Sequence, residues 1–343
     1  MPTALVLALV LITAPQISGP GPEPQSDPLS IKAPRGTGDL LKLASELNGL
    51  DDTSNTPWHI KLTYDHFDED GDNDHSGAVE EFYAGPKKYK RIIGSDTLNQ
   101  TDVADGSHLY RTGDQVWPGG SVMHAINAVL HPLRDPRPED KSIRIEKTDL
   151  KFGNLSLPCV TLRRTGDGII YFGRSVFCFN NHSVMLRFAQ PKLAGEARYD
   201  NLVPFHGRYV AKDISVTRSG KTILKIHVEE LGEIGQVSDT FFSAPSGSIE
   251  PVGGRIAIPA DVFMDFLISD VQPVSPRGSE GKTLVRFVVG KDGKVIEATA
   301  EGGPEPVRKA AVEAVRKYRF RPYLVLDQPV EVKSSSSFEF HSR

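Results

Sequence analysis

Apolar and polar residues follow different repeats in different parts of the chain. Residues 40–47 carry apolar side chains at helical spacing, and 58–242 contain many runs that alternate at a period of two. Gly, Pro and Asp separate these runs, which is typical of turns between antiparallel strands. One amphipathic stretch, 119–133, interrupts them as a predicted helix.

A separate pattern occupies the C-terminal residues 281–343. Two alternating runs, 282–289 and 294–300, flank an Asp292-Gly293 pair that suits a tight hairpin. One apolar stripe at helical spacing follows in 307–318, and alternation returns near the end. The predicted fold class is α+β: a large curved antiparallel β-sheet with few helices, plus a small β-β-α-β C-terminal domain.

The composition suggests five parts in chain order. They are a signal peptide (1–19), a Pro/Gly-rich linker (20–36), the sheet domain (37–242), a second linker with a possible short helix (243–275) and the C-terminal domain (276–343).

The N-terminus predicts export. Residues 4–14 are an unbroken apolar run, which is too short to span a bilayer but fits the core of a secretory signal. We therefore expect a periplasmic protein with no transmembrane helix. A buried N-terminal helix is the alternative.

The net charge of the chain and its distribution indicate which kinds of partner the protein could bind. The chain has 40 Lys and Arg against 44 Asp and Glu, a formal charge of −4, and this balance argues against nucleic-acid binding. Residues 281–343 carry 12 basic and 8 acidic residues, so a basic domain follows an acidic one. The basic residues on or after the predicted helix could steer an acidic partner.

The two cysteines are too few for a disulfide-rich scaffold. Cys159 and Cys178 lie in runs rich in β-branched and aromatic residues with a turn signal between them, so neighbouring strands would bring the thiols together. In an oxidising compartment such a pair usually closes into a disulfide. Two free buried thiols and a redox-active pair are the alternatives.

No motif of a common enzyme class is present, and we expect a non-enzymatic protein without cofactor, metal or catalytic residues. The acidic run 68–74 departs from a calcium loop, since positions six and twelve are Asn73 and Val79, so a solvated turn is predicted. His124 and His131 could share a helix face, but no third ligand is suggested.

The C-terminal residues resemble the TonB C-terminal domain family. The resemblance rests on Gly281 before a strand, the hairpin 289–295 (VGKDGKV), the phrase 310–323 (AAVEAVRKYRFRPY) and the closing 329–332 (PVEV). Tyr318 stands where the family usually has tryptophan. The resemblance implies that the domain binds the periplasmic N-terminal segment of an outer-membrane receptor or another envelope protein.

Residues of about 56–242 are similar to the LolA/LolB type of lipoprotein carrier, whose sheet forms a half-barrel. The similarity rests on the Trp58 strand, 80–83 (EEFY), the helix after Gly119 and 205–208 (FHGR). It implies the alternative function of a carrier that holds a lipid or acyl chain in the curved sheet, with the C-terminal domain as a docking module.

Peptide binding at the C-terminal domain is the leading prediction. A final strand at a sheet edge leaves N–H and C=O groups that an extended peptide can pair with. The residues predicted to form this site, on the edge strand and the basic face, are Val330, Val332, Ser334, Ser336, Phe338, Arg319 and Arg321. A stability or dimerisation module is the alternative role for this domain.

Overall fold

A computed structural model describes residues 21–50, 53–133, 143–164, 175–190, 195–250, 255–274 and 276–341. Twelve strands form one curved antiparallel sheet in the order β5-β4-β3-β2-β1-β12-β11-β10-β9-β8-β7-β6. A four-stranded sheet, β13-β20-β15-β16, forms the core of a small C-terminal unit. The predicted fold class is therefore confirmed. The predicted signal peptide, residues 1–19, lies outside the described residues.

The elements of the large sheet and its two helices have the following bounds: α1 Thr37–Leu47, β1 Trp58–Phe67, β2 Asn73–Gly85, β3 Lys88–Ser95, β4 Asn99–Asp105, β5 Leu109–Gly113, α2 Gly120–Leu130, β6 Ile143–Phe152, β7 Leu155–Arg164, β8 Ser175–Phe179, β9 Leu186–Gln190, β10 Glu196–Phe205, β11 Arg208–Arg218 and β12 Lys221–Gly232.

The remaining elements are short, apart from three strands (β15, β16 and β20) and one helix (α4): a 3-10 turn Asp239–Phe242, β13 Ile256–Ala257, α3 Ala260–Phe263, a 3-10 turn Met264–Phe266, β14 Leu267–Ser269, β15 Gly281–Val289, β16 Val295–Glu301, α4 Glu305–Val315, β17 Arg319–Phe320, β18 Tyr323–Val325, β19 Gln328–Val330 and β20 Val332–Phe340.

Helices α1 and α2 cover one face of the large sheet. Helix α1, with Leu41 in its apolar stripe, packs against β6 and β11, and α2, with Ile126 in its stripe, packs against β1, β2, β11 and β12. Alternate residues of β1, such as Ile60, belong to the same core. Trp58 stacks on Tyr83 of the neighbouring strand, with ring centroids 4.7 Å apart. The period of two in β1 thus places every second residue in this core.

The Pro-rich segment before α1, which the composition predicts to be a linker, is attached to the sheet. Gln25 Nε2 donates to the Leu202 carbonyl, and the Leu202 N–H donates back to Gln25 Oε1. Asp27 accepts hydrogen bonds from the hydroxyls of Ser183 and Tyr209. These long-range bonds make the described part of the segment an integral part of the sheet domain.

A ladder of four charged residues, three of them buried, crosses the end of the large sheet. Register places Glu81, Arg91, Asp102 and Arg111 directly opposite one another on β2 to β5. Arg111 is fully buried and donates to both carboxylate oxygens of Asp102, at 2.6 and 2.7 Å. Opposite charges in directly facing positions stabilise a sheet pair.

The C-terminal unit packs beside this ladder. Trp117 lies 4.8 Å below the Arg111 guanidinium and also packs, with Met123, against the C-terminal core. Lys87 Nζ lies 2.6 Å from a carboxylate oxygen of Asp327. The two sheets therefore share an interface.

Helix α4 packs on one face of the small sheet, where it buries Val307, Ala311 and Val315. Alternate residues of β15, including Phe287, face this helix. The predicted order strand, strand, helix, strand is present, and three short strands, β17 to β19, lie between the helix and β20.

The predicted linker 243–275 takes part in several pairings. Ile249 exchanges two backbone hydrogen bonds with Arg111 and so extends the large sheet beyond β5. β13 pairs with β20, and β14 pairs with β17. The possible helix at 260–268 is present only as α3 and the 3-10 turn that follows.

Candidate functional site

The last strand of the C-terminal sheet is flanked by the chain itself on both sides. β20 pairs antiparallel with β15 along its whole length. On the other side, β13 pairs with it in parallel, with Ile256 opposite Val332 and Ala257 opposite Lys333. The prediction that the last strand forms the sheet edge is therefore wrong at Val332 and Lys333, because residues assigned to the linker occupy that edge.

Backbone hydrogen bonds hold this short parallel pair. The Ile256 N–H donates to the Glu331 carbonyl at 2.9 Å, and the Ile258 N–H donates to the Lys333 carbonyl at 3.0 Å. β13 thus occupies the position that an added strand would take on this edge.

Most side chains of the predicted peptide site point into the domain. Ser334 is half-buried, whereas the other four residues of the predicted strand site are at most 6% exposed: Val330, Val332, Ser336 and Phe338. An extended partner along β20 would therefore meet mainly their backbone groups.

The side chains of β13 alternate between the core and the surface. Ile256 and Ile258 are 2% and 5% exposed and belong to the C-terminal core, whereas Ala257 is exposed. The segment is therefore held by two apolar anchors as well as by its backbone. Sequence reasoning missed these anchors, although the Ile-Ala-Ile alternation before Pro259 is a short strand signal.

Arg255 fixes the entry into β13. Its guanidinium donates to both carboxylate oxygens of Glu297 at 2.6 and 2.8 Å, and its Nε donates to Glu331 at 2.8 Å. These bonds lower the pKa of the Glu297 carboxyl and, led by Glu297, raise the pKa of the Arg255 guanidinium. Through these hydrogen bonds Arg255, the residue before β13, is joined to β16 and to the residue before β20.

A cleft of about 550 Å³ opens beside β13, on the sheet face away from α4. Its walls include Trp117, Ala257, Arg286, Glu297 and Lys333. It is therefore an apolar and charged pocket at the interface between the two sheets. If a strand of another chain were added at the position of β13, its side chains with the same orientation as that of Ala257 would enter this cleft.

Arg319 and Arg321 lie away from the final strand. Arg319 is exposed on β17, which pairs with β14, and the Arg321 N–H donates to the Phe266 carbonyl. The Arg321 guanidinium lies 5.1 Å from the Phe266 ring centroid. The structure places both in the β14–β17 region, in neither β20 nor β13.

Cys159 and Cys178 form a disulfide, as predicted. They lie directly opposite each other on β7 and β8, are almost completely buried, and have sulfur atoms 2.02 Å apart. The residues of the predicted turn at 165–168 lie outside the described residues.

Residues 68–72 of the acidic run form a turn between β1 and β2, and Asn73 and Asp74 are the first residues of β2. Asp68 Oδ1 accepts the backbone N–H groups of Asp70, Gly71 and Asp72. Next to this turn the structure assembles His66, Asp74 and His75, which sequence reasoning missed. Within the described ranges, His124 and His131 belong to no such cluster.

Comparison with known families confirms the C-terminal resemblance. Residues 275–341 match the family model of the Gram-negative bacterial TonB protein C-terminal. The match covers about a fifth of the chain, so it describes this unit and not the whole protein. Among curated proteins the sequence finds no match.

Solved structures similar to the chain include a LolA superfamily protein and a domain assigned to outer membrane lipoprotein sorting. NE2245 from Nitrosomonas europaea is 12% identical, covers 62% of this chain and 98% of its own, and gives a TM-score of 0.38. A domain assigned to outer membrane lipoprotein sorting from Vibrio parahaemolyticus is 8% identical, with 60% and 95% covered and a TM-score of 0.38. At these identities the likeness concerns the fold alone.

A third similar structure is a DUF1329 family protein from Desulfovibrio piger. It is 11% identical, with 60% of this chain and 95% of its own chain covered and a TM-score of 0.36. In the described part of the chain, no helix is both long enough and apolar enough to cross a membrane.

Proposed function

We propose that this chain is an exported, non-enzymatic protein of the bacterial envelope that binds an extended peptide of a partner, such as an outer-membrane receptor, at its C-terminal unit. The match of residues 275–341 to the TonB C-terminal family supports this proposal. The export signal predicted at the N-terminus supports a location in the periplasm.

The observation that carries the proposal is the parallel pairing of β13 with β20. Two residues and their backbone hydrogen bonds already add a fourth strand to the sheet. An edge that accepts Ile256 and Ala257 from its own chain has the geometry to accept an extended peptide from another chain. The partner would replace β13.

The side chains of β13 indicate what such a peptide would look like. Its residues at the positions of Ile256 and Ile258 would enter the apolar core, and the residue between them would face the cleft. We therefore expect a preference for an apolar-x-apolar segment that runs parallel to β20. Glu297 and Glu331, freed from Arg255, would favour a basic residue just before it.

An external peptide must first displace β13, and the free-energy cost of this displacement weakens peptide binding. Exposure of each isoleucine costs about 1.5–3 kcal/mol, and each lost hydrogen bond about 0.5–1.5 kcal/mol. The unaltered chain should therefore bind an external peptide weakly. A variant with a weakened β13 should bind the same peptide more tightly.

The test is a fluorescence anisotropy titration of the full chain against a labelled peptide from the periplasmic N-terminus of an outer-membrane receptor. In the double variant Ile256→Ala/Ile258→Ala we expect affinity to rise about 10- to 100-fold, where each tenfold step corresponds to about 1.4 kcal/mol. Ile296→Ala is the matched control, because Ile296 is 48% exposed on the opposite edge strand.

Two outcomes would contradict the proposal. One is the absence of saturable binding to the double variant by any receptor-derived peptide or by a peptide of residues 253–260. The other is an equal gain in affinity in Ile296→Ala, which would mean that β13 has no special part in binding.

The carrier function stays a prediction. Native mass spectrometry of the purified full chain would detect a co-purified lipid, and its delipidated form should then rebind an acyl chain.

A further inference from the structure

Two histidines face each other near the turn of the β1–β2 hairpin. His66 and His75 are directly paired across the two strands, and their rings stack with centroids 4.4 Å apart. Both follow the alternation of the buried face, since Tyr64 and Leu62 lie earlier on the same strand face. The pair therefore extends the line of core residues toward the turn.

A β-bulge adds a carboxylate to this pair. His66 is opposite His75, but the next residue, Phe67, is opposite Asn73, so Asp74 is the extra residue on β2. A bulge turns the side chain of its extra residue out of the strict alternation. Asp74 consequently reaches both rings: its Oδ1 lies 2.6 Å from His66 Nδ1 and 2.8 Å from His75 Nδ1.

A neighbouring hydroxyl orients one of the imidazoles. His75 Nε2 lies 2.6 Å from Ser121 Oγ, at the start of α2. With Ser121 as acceptor for the Nε2–H, the lone pair of His75 Nδ1 would point toward Asp74 and His66. Metal-ligating histidines typically have such a partner on their second nitrogen.

The surroundings attract cations. The hairpin carries five further acidic residues close in sequence: Asp65, Asp68, Glu69, Asp70 and Asp72. Two basic side chains from β12 lie nearby, since Lys221 donates to the Glu69 carbonyl and Lys225 lies 5.3 Å from the Phe67 ring centroid. Carboxylates therefore outnumber the ammonium groups around the cluster.

We propose that His66, Asp74 and His75 form a binding site for a divalent transition-metal ion of the zinc class. Two imidazole nitrogens and one carboxylate oxygen form a donor set that Zn²⁺, Cu²⁺ and Ni²⁺ all accept. The three donor atoms lie within 4.8 Å of one another, and the side chains are 30%, 39% and 22% exposed, so an ion can enter from solvent.

Only a small movement is needed to admit the ion. Tetrahedral bonds of about 2.0–2.2 Å hold two ligand atoms roughly 3.3 Å apart. The two nitrogen–oxygen distances, 2.6 and 2.8 Å, must therefore widen by about 0.5–0.7 Å, which a rotation of the partly exposed Asp74 side chain can supply. The fourth position would hold water or a ligand from outside.

The test is calorimetric titration of the untagged full chain with zinc chloride after dialysis against a chelator. We expect one ion per chain, and at least a tenfold loss of affinity in His66→Ala and in His75→Ala. His227→Ala is the matched control, because His227 Nδ1 also lies 2.6 Å from a carboxylate oxygen, that of Asp213, but among the described residues no third metal-ligating side chain lies close to this pair.

Two further measurements distinguish the loss of a metal ligand from misfolding of a variant. Asp74→Asn keeps the size of a partly exposed side chain and should also weaken zinc binding. Zinc should raise the melting temperature of the unaltered chain and of His227→Ala but not of His66→Ala/His75→Ala. Unchanged affinity in folded Asp74→Asn and in both histidine variants, or no saturable zinc binding at all, would overturn the proposal.

Discussion

Replacement of Asp102 by leucine should strongly destabilise the protein, because it leaves the buried charge of Arg111 without its carboxylate. Asp102 is 6% exposed and Arg111 is completely buried, with two hydrogen bonds between them. Breaking a buried ion pair by removal of one partner costs about 3–5 kcal/mol. That loss is a large share of the roughly 5–15 kcal/mol that stabilises a typical domain.

The double variant Asp102→Leu/Arg111→Met should recover most of this loss. Replacing both members of a buried pair by apolar residues of similar volume is often nearly neutral. The ladder also predicts different losses of stability for the two single variants. Arg111→Met should cost less than Asp102→Leu, because Asp102 keeps Arg91 directly opposite it on β3.

Urea unfolding of the full chain measures these differences. The chain has two tryptophans: Trp58 lies in the main core, and Trp117 lies under Arg111. Fluorescence in Trp58→Phe and Trp117→Phe backgrounds therefore reports on the two regions separately. If the double variant is as unstable as Asp102→Leu, the stability does not depend on charge compensation and our reasoning about the ladder is wrong.

Three further predictions concern other parts of the fold. Replacement of Cys159 and Cys178 by alanine should lower the free energy of unfolding by about 3 kcal/mol for a closed loop of this size, as urea unfolding would show; an unchanged midpoint contradicts this. Gly293→Ala should lower the melting temperature of the C-terminal unit, since φ is +78° and a Cβ would lie 1.9 Å from the Phe320 carbonyl oxygen; a melting temperature equal to that of the unaltered chain would refute it. Burial raises the pKa of Asp27, but its hydrogen bonds lower it further, to a net value below the ordinary 3.8. Its contribution is therefore present above that ordinary value and lost as pH falls through the lowered pKa. Pepsin cleavage within 21–33 should increase only in strong acid, whereas Asp27→Asn should show it under milder conditions.

Regular patterns in the sequence predicted the large elements well. The alternation from Trp58 onward predicted β1 because a half-buried strand places every second residue in the core. The apolar stripe from Val122 to Leu130 predicted α2 for the corresponding helical reason. The disulfide followed from two strand-like runs separated by a turn signal, which makes neighbours of Cys159 and Cys178.

The candidate sites depend on contacts that no local pattern contains. β13 has only two residues, too few to show the alternation of apolar and polar positions that identifies a strand. Its pairing with β20 depends on the tertiary fold, which brings the two segments side by side. The bulge at Asp74 breaks the alternation that would place it away from His75. The prolines before α1 predict an extended linker because they exclude regular structure, yet the side chains of Gln25 and Asp27 attach this segment to distant strands.

The placement of the segment after the large sheet determines what peptide binding at β20 would change. Ile249 protects the β5 edge, Ile256 and Ala257 protect the β20 edge, and β14 pairs with β17. Natural proteins cover exposed strand edges in this way to prevent unwanted pairing. A peptide that displaces β13 removes only the middle attachment, while β14 still holds the chain to the C-terminal unit. The protein would therefore exchange one strand for another at β20 and keep both sheets folded, so peptide binding should leave the far-ultraviolet circular dichroism unchanged while it makes the backbone amides of Ile256 and Ile258 exchange faster with solvent.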